Sequence, residues 1–351
     1  MSEIDWLKKP AKTIEQHYLR QAEARQNTLT KPPGSLGRLE GVATALSAMQ
    51  QTIAPSVETV YIAVFAADHG IAEENVSAFP QAVTLEMVRN FARGGAAISV
   101  LAQQLGARLE VINLGTVAEQ EALKGVLDKR IAPGTQNFSR APAMSPSQMA
   151  QALDTGRQTA SNAQAGGADL FIAGDMGIAN TTSATALACA LLNKNADTIA
   201  GPGTGLDEAG VQHKAEVIDR SIALHRSALR SPEDILQHLG GFEIAAMVAA
   251  YIACAQQGLP VLVDGFISSV AALLAVKINP GCQHWMFFSH ESAEPGHKII
   301  LQSLRAEPLL QINMRLGEAS GAATVVPLMR LACALQNNMA TFDEAGVSDK
   351  D

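Results

Sequence analysis

The chain has 351 residues, of which 47% are hydrophobic, 17% charged and only 4% aromatic, and its formal net charge is -8. Such a length is long for a single core, so we expect one large domain with a smaller attached one, or two domains. An apolar composition excludes a disordered chain, and the negative charge argues against a nucleic-acid partner, which needs a basic surface.

The first predicted elements are two amphipathic helices, at about 12–28 and 36–51. The sequence TKPPGS at 30–35 separates them, because two prolines and a glycine do not continue a helix. Both helices precede any predicted strand. We therefore expect them to form part of a separate helical cap.

Five apolar runs, the first of them rich in β-branched residues, predict strands, at 57–66, 108–114, 169–173, 260–263 and 284–288. Predicted helices separate them, at 80–105 with a break at 94–95, and at 145–165, 182–192, 207–229, 242–257, 266–277 and 295–304. Strands that alternate with helices imply βαβ units. The fold class is thus α/β, with a Rossmann-like parallel sheet flanked by helices, and ligands are expected at the carboxyl ends of its strands.

An apolar run at 322–335 predicts a last helix, which begins at or near Glu318. As the final long helix, it can pack with the first two. We therefore predict a large α/β catalytic domain at 56–317 and a small helical domain built from both chain termini, 1–55 and 318–351. The polar tail at 341–351 is expected to fray.

The four cysteines lie far apart in apolar or alanine-rich stretches, and no C-x-x-C pair occurs. They are expected to be buried thiols of a reducing compartment, not a disulfide framework or a zinc site. The N-terminal segment lacks the apolar core of a signal peptide, and no apolar run is long enough for a clear membrane span. These features predict a cytoplasmic protein with no membrane partner.

Glu318 stands between two glycines in the sequence MRLGEASGA at 314–322, directly before the last predicted helix. Small neighbours let a ligand or backbone approach closely, and a helix N-terminus favours negative charge. The carboxylate therefore either meets a ligand or only complements the helix dipole. These nine residues alone favour neither alternative.

A turn between a predicted strand and helix, AGDMGIANTT at 173–182, is a candidate phosphate site. Free N–H groups at a helix N-terminus and close-approaching glycines suit an anion, although the Walker pattern is absent. Its small and polar members are Gly174, Asp175, Gly177, Asn180, Thr181 and Thr182. The alternative, an N-capped helix after a tight turn, explains either threonine but leaves Gly174, Asp175 and Asn180 unexplained.

Four further features carry weaker signals. The glycine turn GPGTGLD at 201–207 lacks the dinucleotide fingerprint, so it supports a nicotinamide coenzyme only weakly. Lys214 could add a charge to a phosphate, but a lone lysine in a helix is more often a solvated surface residue. Asp68 and His69 could be a metal pair or an acid–base pair, but no partner spacing supports a metal. His290 and His297 are expected to be hydrogen-bonded or helix-end residues, not ligands.

Nine stretches occur in an order that identifies a family. They are KPPGSLGRLE (31–40), ADHG (67–70), VTLEMVRNFARGGAAISVLA (83–102), GDMGIANTTSATAL (174–187), GPGTGLD (201–207), GGFEIAAM (240–247), LPVLVDGFISS (259–269), SHESAEPGH (289–297) and MRLGEASGAA (314–323). From about residue 12 to 338 the chain closely resembles the nicotinate-nucleotide:dimethylbenzimidazole phosphoribosyltransferase family. Nine stretches in register are far more specific than any one motif.

The resemblance implies a homodimer that needs no cofactor or metal and acts on small molecules. This family moves the 5-phosphoribosyl group from nicotinate mononucleotide to 5,6-dimethylbenzimidazole in the assembly of the lower ligand of cobalamin. The products are nicotinate and α-ribazole 5′-phosphate. The resemblance places Glu318 as the catalytic base, with the nucleotide phosphate near 174–182 and Lys214. It places Gly203, Gly205 and Ser292 on the nucleotide side, and Phe79, Met87 and Leu316 at the benzimidazole slot.

Two departures bear on these assignments. The family commonly has glutamate where this chain has Asp175, so a helper carboxylate here is one methylene shorter. The residues at 79 and 87 vary within the family, which leaves the preferred base open. Asp175 or Asp264 could stabilise positive charge on the ribose in the transition state.

Three rival functions use the same features. With water in place of the base, the same site would be a nicotinate-nucleotide glycohydrolase. A non-catalytic nucleotide-binding protein would leave Glu318 without a task. A metal-dependent hydrolase centred on Asp68 and His69 would lose its activity with a chelator.

Overall fold

A computed structural model describes residues 3–348. It contains a six-stranded sheet of order β3-β2-β1-β4-β5-β6, in which every neighbouring pair is parallel. The strands are β1 (Val60–Ala67), β2 (Arg108–Gly115), β3 (Val126–Asp128), β4 (Leu170–Met176), β5 (Val261–Val263) and β6 (Met286–Phe288). This strand order is that of a doubly wound sheet, whose topological switch point lies between β1 and β4.

Helices cover both faces of the sheet. They are α1 (Gln16–Thr28), α2 (Arg38–Gln50), α3 (Ala82–Arg93), α4 (Ala97–Leu105), α5 (Pro146–Ala165), α6 (Asn180–Leu192), α7 (Glu208–His225), α8 (Pro232–Leu239), α9 (Phe242–Gln257), α10 (Phe266–Ile278), α11 (His297–Leu304), α12 (Ser320–Asn338) and α13 (Phe342–Ala345). Short 3-10 segments lie at Asp5–Lys8, Gly70–Glu74, Ala196–Thr198 and Pro280–Trp285. The predicted α/β class, with a parallel sheet flanked by helices, is confirmed.

The central strand β1 shows why the sheet is buried on both faces. All eight of its residues are buried. Tyr61 and Phe65 belong to the hydrophobic cluster that includes α9, whereas Ile62 and Val64 belong to the cluster that includes α12. Because successive side chains of a strand point to opposite faces, a strand covered on both sides is apolar at every position.

The terminal helices pack together and also against the sheet. The Arg25 side chain of α1 donates to the Gln336 carbonyl of α12 at 2.7 Å, and Leu29 pairs with Thr341 in an antiparallel bridge. Val326 of α12 shares a buried cluster with Ile62 of the central strand. Helix α12 therefore contributes to the core of the sheet as well as packing with the first helix, and the two-domain division at 55 and 318 stays a prediction.

The structure differs from the sequence predictions at short elements. The edge strand β3 and helix α8 were not predicted, and the residues at 284–285 belong to a 3-10 segment instead of a strand. The expectation that the tail frays is wrong for 342–345, which form α13 with a capping box between Thr341 and Glu344. Residues 349–351 of that tail lie outside the described residues.

The cysteine prediction is confirmed as far as burial is concerned. All four cysteines are buried and none is paired in a disulfide. Within residues 3–348, no helix combines the length and apolarity needed to cross a bilayer.

Candidate active site

A cavity of about 410 Å³ opens at the carboxyl ends of β4, β5 and β6. Its walls come from the segments that follow these strands, from the start of α3, from the turn at 203–204 and from the segment before α12. Ligands of open parallel sheets bind at this edge, because the loops after several strands converge there. The cavity is therefore the candidate active site.

Most of the predicted site residues line this cavity. They are Phe79, Met87, Asp175, Gly177, Asn180, Thr181, Gly203, Ser292, Leu316 and Glu318. The remaining four, Gly174, Thr182, Gly205 and Lys214, are not part of its lining. Gly174 and Lys214 contact lining residues, as described below, whereas the Thr182 hydroxyl is buried without a hydrogen-bond partner within residues 3–348.

Glu318 lies in a strained turn at the start of α12. Its φ is +63° and that of Ala319 is +70°, and the helix begins at Ser320. Left-handed backbone at a non-glycine residue costs on the order of 1 kcal/mol and occurs preferentially at functional sites. The Glu318 side chain is only 5% exposed, and its Oε2 has no hydrogen-bond partner within residues 3–348. The protein thus maintains a strained turn that holds an unpaired carboxylate in the cavity.

Two neighbouring strands hold this turn in place. A Cβ added to Gly174 of β4 would lie 2.5 Å from the carbonyl carbon of Glu318, so the strand backbone packs directly against the turn. Asp264, which follows β5, accepts a hydrogen bond from the backbone N–H of Ala322 at 2.7 Å. A carboxylate that binds free N–H groups at a helix N-terminus acts as a cap. Asp264 therefore caps α12 from a distant part of the chain.

Three buried carboxyl groups in the cavity lining have raised pKa values. Burial, and secondarily the charge of Asp264, raises the pKa of the Glu318 carboxyl to about 7. Burial raises the pKa of Asp264 to about 6, although backbone N–H groups such as that of Ala322 oppose the shift. Burial and the charges of Asp264 and Glu243 raise the pKa of Asp175 well above its usual range. A carboxyl that titrates near neutral pH is suited to proton transfer.

Lys214 is not a solvated surface residue. Its side chain is 1% exposed, and its ammonium donates to the Thr181 hydroxyl at 2.9 Å and to the Gly201 carbonyl at 3.3 Å. Burial lowers its pKa to about 8, while the charge of Glu294 opposes the shift. The ammonium therefore ties the start of α6 to the glycine turn at 201–205. This arrangement places positive charge directly behind the cavity wall.

Two charged residues of the cavity wall are not among the predicted site residues. Arg315 lines the cavity and donates to the Gly203 carbonyl at 3.2 Å, which bridges two segments of the wall. Glu294 also lines the cavity. Both lie inside stretches that were singled out, MRLGEASGAA and SHESAEPGH. Their position inside these motifs is the feature of the sequence that could have predicted them as site residues.

Asp68 and His69 do not line the cavity. The His69 Nε2 lies 2.7 Å from a carboxylate oxygen of Glu243, and both side chains are fully buried. A Cβ on Gly177 would lie 3.3 Å from the His69 ring, so His69 and Glu243 lie behind the part of the cavity wall that Gly177 forms. Among residues 3–348, no group of three or more His, Cys, Asp and Glu side chains has the arrangement of a metal site.

The fold and the cavity define an α/β enzyme that handles a small ligand at the carboxyl edge of a parallel sheet. A family model described as Phosphoribosyltransferase matches residues 11–347. The chain belongs to the nicotinate-nucleotide–dimethylbenzimidazole phosphoribosyltransferase family, and the predicted resemblance is confirmed.

Relatives of that name cover almost the whole chain. The protein of Azotobacter vinelandii (strain DJ) is 57% identical over 98% of both chains, and that of Pseudomonas aeruginosa (strain PAO1) is 54% identical over 99% of both. The crystal structure of CobT from Thermus thermophilus superimposes with a TM-score of 0.91 at 42% identity, over 95% of this chain and 100% of that chain.

Proposed function

We propose that this protein transfers the 5-phosphoribosyl group of nicotinate mononucleotide to 5,6-dimethylbenzimidazole. The products are nicotinate and α-ribazole 5′-phosphate, the nucleotide of the cobalamin lower ligand. The names of the relatives support this assignment of the substrates. The observation that carries the chemistry is the buried carboxylate of Glu318, which is unpaired within residues 3–348 and lines the cavity.

The bond changes explain why one proton acceptor is sufficient. The bond between C1′ and the pyridinium nitrogen breaks, and its electron pair neutralises the departing ring, so no general acid is required. The free ring nitrogen of the benzimidazole attacks C1′ from the opposite face, which converts the β linkage to α. The other ring nitrogen then carries an acidic N–H, and Glu318 accepts that proton before releasing it to solvent.

The remaining wall residues have distinct tasks in this proposal. Phe79 and Leu316, both exposed apolar side chains of the cavity lining, hold the flat base together with Met87. Correct alignment of base and C1′ supplies part of the rate. Asp175, whose Oδ2 accepts a hydrogen bond from Asn180 at 2.9 Å, stabilises positive charge on the ribose when it is ionised.

The phosphate belongs on the side of the cavity formed by Thr181, Gly203 and Ser292. The guanidinium of Arg315 and the ammonium of Lys214 supply positive charge on this side, and the start of α6 supplies backbone N–H groups. Gly203 has a φ of +51°, and a Cβ there would lie 2.7 Å from the Thr181 hydroxyl. The wall at this point therefore leaves backbone groups accessible to an anion. A homodimer, as the family resemblance implies, and a cytoplasmic location, as the cysteines and the N-terminal segment predict, are part of the same proposal.

Release of nicotinate should depend on the acceptor base. With nicotinate mononucleotide alone we expect no nicotinate above background, and with dimethylbenzimidazole we expect equal amounts of nicotinate and of an α-linked nucleotide, separated by chromatography. Nicotinate release without base would identify a glycohydrolase. A nucleotide that binds but never reacts, with or without base, would identify a binding protein.

The pH profile should reflect the titration of Glu318. A general base must be deprotonated, and the pKa of this carboxyl is raised to about 7, so kcat/KM should fall roughly tenfold per unit as the pH decreases below that value. The control is a less basic benzimidazole, which should leave this acidic limb in place. A profile that stays flat until the pH approaches the ordinary glutamate pKa would contradict the assignment.

A further inference from the structure

The turn that carries Glu318 is held from three successive strands, and the third contact has no role in the mechanism above. Gly174 of β4 and Asp264 after β5 supply the first two. His290, which follows β6, supplies the third, because its ring lies against Gly321 in the first turn of α12. A Cβ on Gly321 would lie 2.1 Å from Cε1 and 2.2 Å from Nδ1 of His290. Only glycine therefore fits at this position opposite the ring.

The hydrogen bonds of His290 define its tautomer. Its Nδ1 lies 3.0 Å from the Ser289 hydroxyl, which itself donates to the Asp264 carbonyl at 3.2 Å. Since a hydroxyl has a single proton, Ser289 accepts at the other contact, and the imidazole proton resides on Nδ1. The ring is only 3% exposed, and burial lowers its pKa below the usual histidine value. His290 is therefore a neutral, oriented imidazole at neutral pH.

Several charged or titratable groups surround this imidazole. Asp264 lies on the neighbouring loop, where a Cβ on Gly265 would be 3.4 Å from the His290 ring. The His297 ring at the start of α11 lies 6.3 Å away, centroid to centroid. Asp175, Glu294 and Glu318 share the cavity lining with His290. The imidazole thus occupies the space between the Asp264 loop and the turn that carries Glu318.

We propose that His290 is a positioning residue for Glu318, a neutral wedge that fixes the separation between the Glu318 turn and the Asp264 loop. This inference rests on the proposed function, because the carboxylate it positions is the proposed base. The wedge acts through Gly321: the ring and the glycine backbone form a matched pair, and Asp264 caps the same helical turn from the other side. Displacing the ring would change both the reach of Glu318 and its electrostatic coupling to Asp264.

A double-variant cycle tests this pairing. Gly321→Ala introduces a methyl group into the space of the ring, so we expect kcat to fall at least about tenfold while the Kd for nicotinate mononucleotide stays within about threefold. His290→Ala removes the ring and should also lower kcat. In Gly321→Ala/His290→Ala the methyl group has space, so the loss in kcat should be clearly smaller than the product of the two single-variant losses. The acidic limb of the pH profile should shift in Gly321→Ala and move back in the double variant.

Two results would overturn the inference. One is a double variant whose loss in kcat equals the product of the losses in Gly321→Ala and His290→Ala, which would show that the two positions are not coupled. The other is a Kd that rises as much as kcat/KM falls, which would make His290 a nucleotide-binding residue. If His290→Ala does not fold by circular dichroism, His290→Asn replaces it, because the shorter amide can still donate to Ser289 and withdraws most of the ring from Gly321.

A measurement without turnover separates this inference from the proposed function. Carbon-13 NMR titration of labelled glutamate, with the Glu318 signal assigned by Glu318→Gln, gives the pKa of this carboxyl directly. A shifted pKa in Gly321→Ala that reverts in the double variant supports the wedge even if native protein forms no α-linked nucleotide. An identical pKa in native protein and both variants would overturn it, whatever the activity.

Discussion

Replacing Glu318 by glutamine is expected to lower kcat by about 10²- to 10⁴-fold, the usual contribution of a positioned general base. Glutamine preserves the size of the side chain but cannot accept the proton that leaves the benzimidazole. In the proposed arrangement the nucleotide phosphate binds near Thr181, Gly203 and Ser292 and not at Glu318, so the Kd for nicotinate mononucleotide should change less than about threefold. Initial rates by product chromatography and Kd by calorimetry separate the two effects.

The matched control is Glu307→Gln. The Glu307 side chain is 84% exposed and its nearest cation is Arg38 at 3.8 Å, so the same chemical change should leave kcat unaltered. If the kcat of Glu318→Gln were within about threefold of the native kcat, Glu318 would not be the base. A loss confined to nucleotide affinity would instead make it a binding residue.

The second large effect is expected for Gly174→Ala. The added methyl group would lie 2.5 Å from the carbonyl carbon of Glu318 and 2.6 Å from the backbone nitrogen of Ala319. The turn cannot retreat freely, because Asp264 holds the first turn of α12. We expect a loss of about 1–3 kcal/mol in the free energy of unfolding, as for other overpacked sites. Because the displaced turn carries Glu318, kcat should fall by a larger factor than KM rises.

Gly41→Ala is the control for this substitution. Gly41 lies inside α2, and an added Cβ would meet no atom within 4 Å. Alanine there should raise the free energy of unfolding by roughly 0.5–1 kcal/mol, because it is the better helix former. Urea unfolding measures both variants. Equal midpoints for Gly174→Ala and native protein, together with native kcat, would show that β4 does not position the Glu318 turn.

The sequence predicts the sheet well because burial on both faces leaves a local signal. Strands such as β1 and β4 are apolar at nearly every position, and this pattern does not depend on their neighbours. The edge strand β3 has three residues, two of them exposed, so it lacks that pattern. Helix α8 did carry a local signal, Ser231 as N-cap followed by Pro232, and could have been predicted from it.

The candidate site is only partly predictable because its geometry depends on contacts between distant segments. The segment between two glycines draws attention to Glu318 and the family resemblance assigns its role, but nothing local predicts left-handed backbone at Glu318 and Ala319, since neither is glycine. The burial of Lys214 depends on Thr181 and Gly201, which are distant in sequence. Likewise, the close contact of Gly174 with the turn before α12 is visible only in three dimensions.

A crystal structure of the protein with 5,6-dimethylbenzimidazole and a non-reactive nucleotide analogue would show directly whether Glu318 can accept the proton. We expect the flat base in the cavity between Phe79, Met87 and Leu316, with a Glu318 carboxylate oxygen within about 3.2 Å of one ring nitrogen and the other ring nitrogen facing C1′. A base bound with both nitrogens out of reach of Glu318 would show that this carboxylate does not accept the proton.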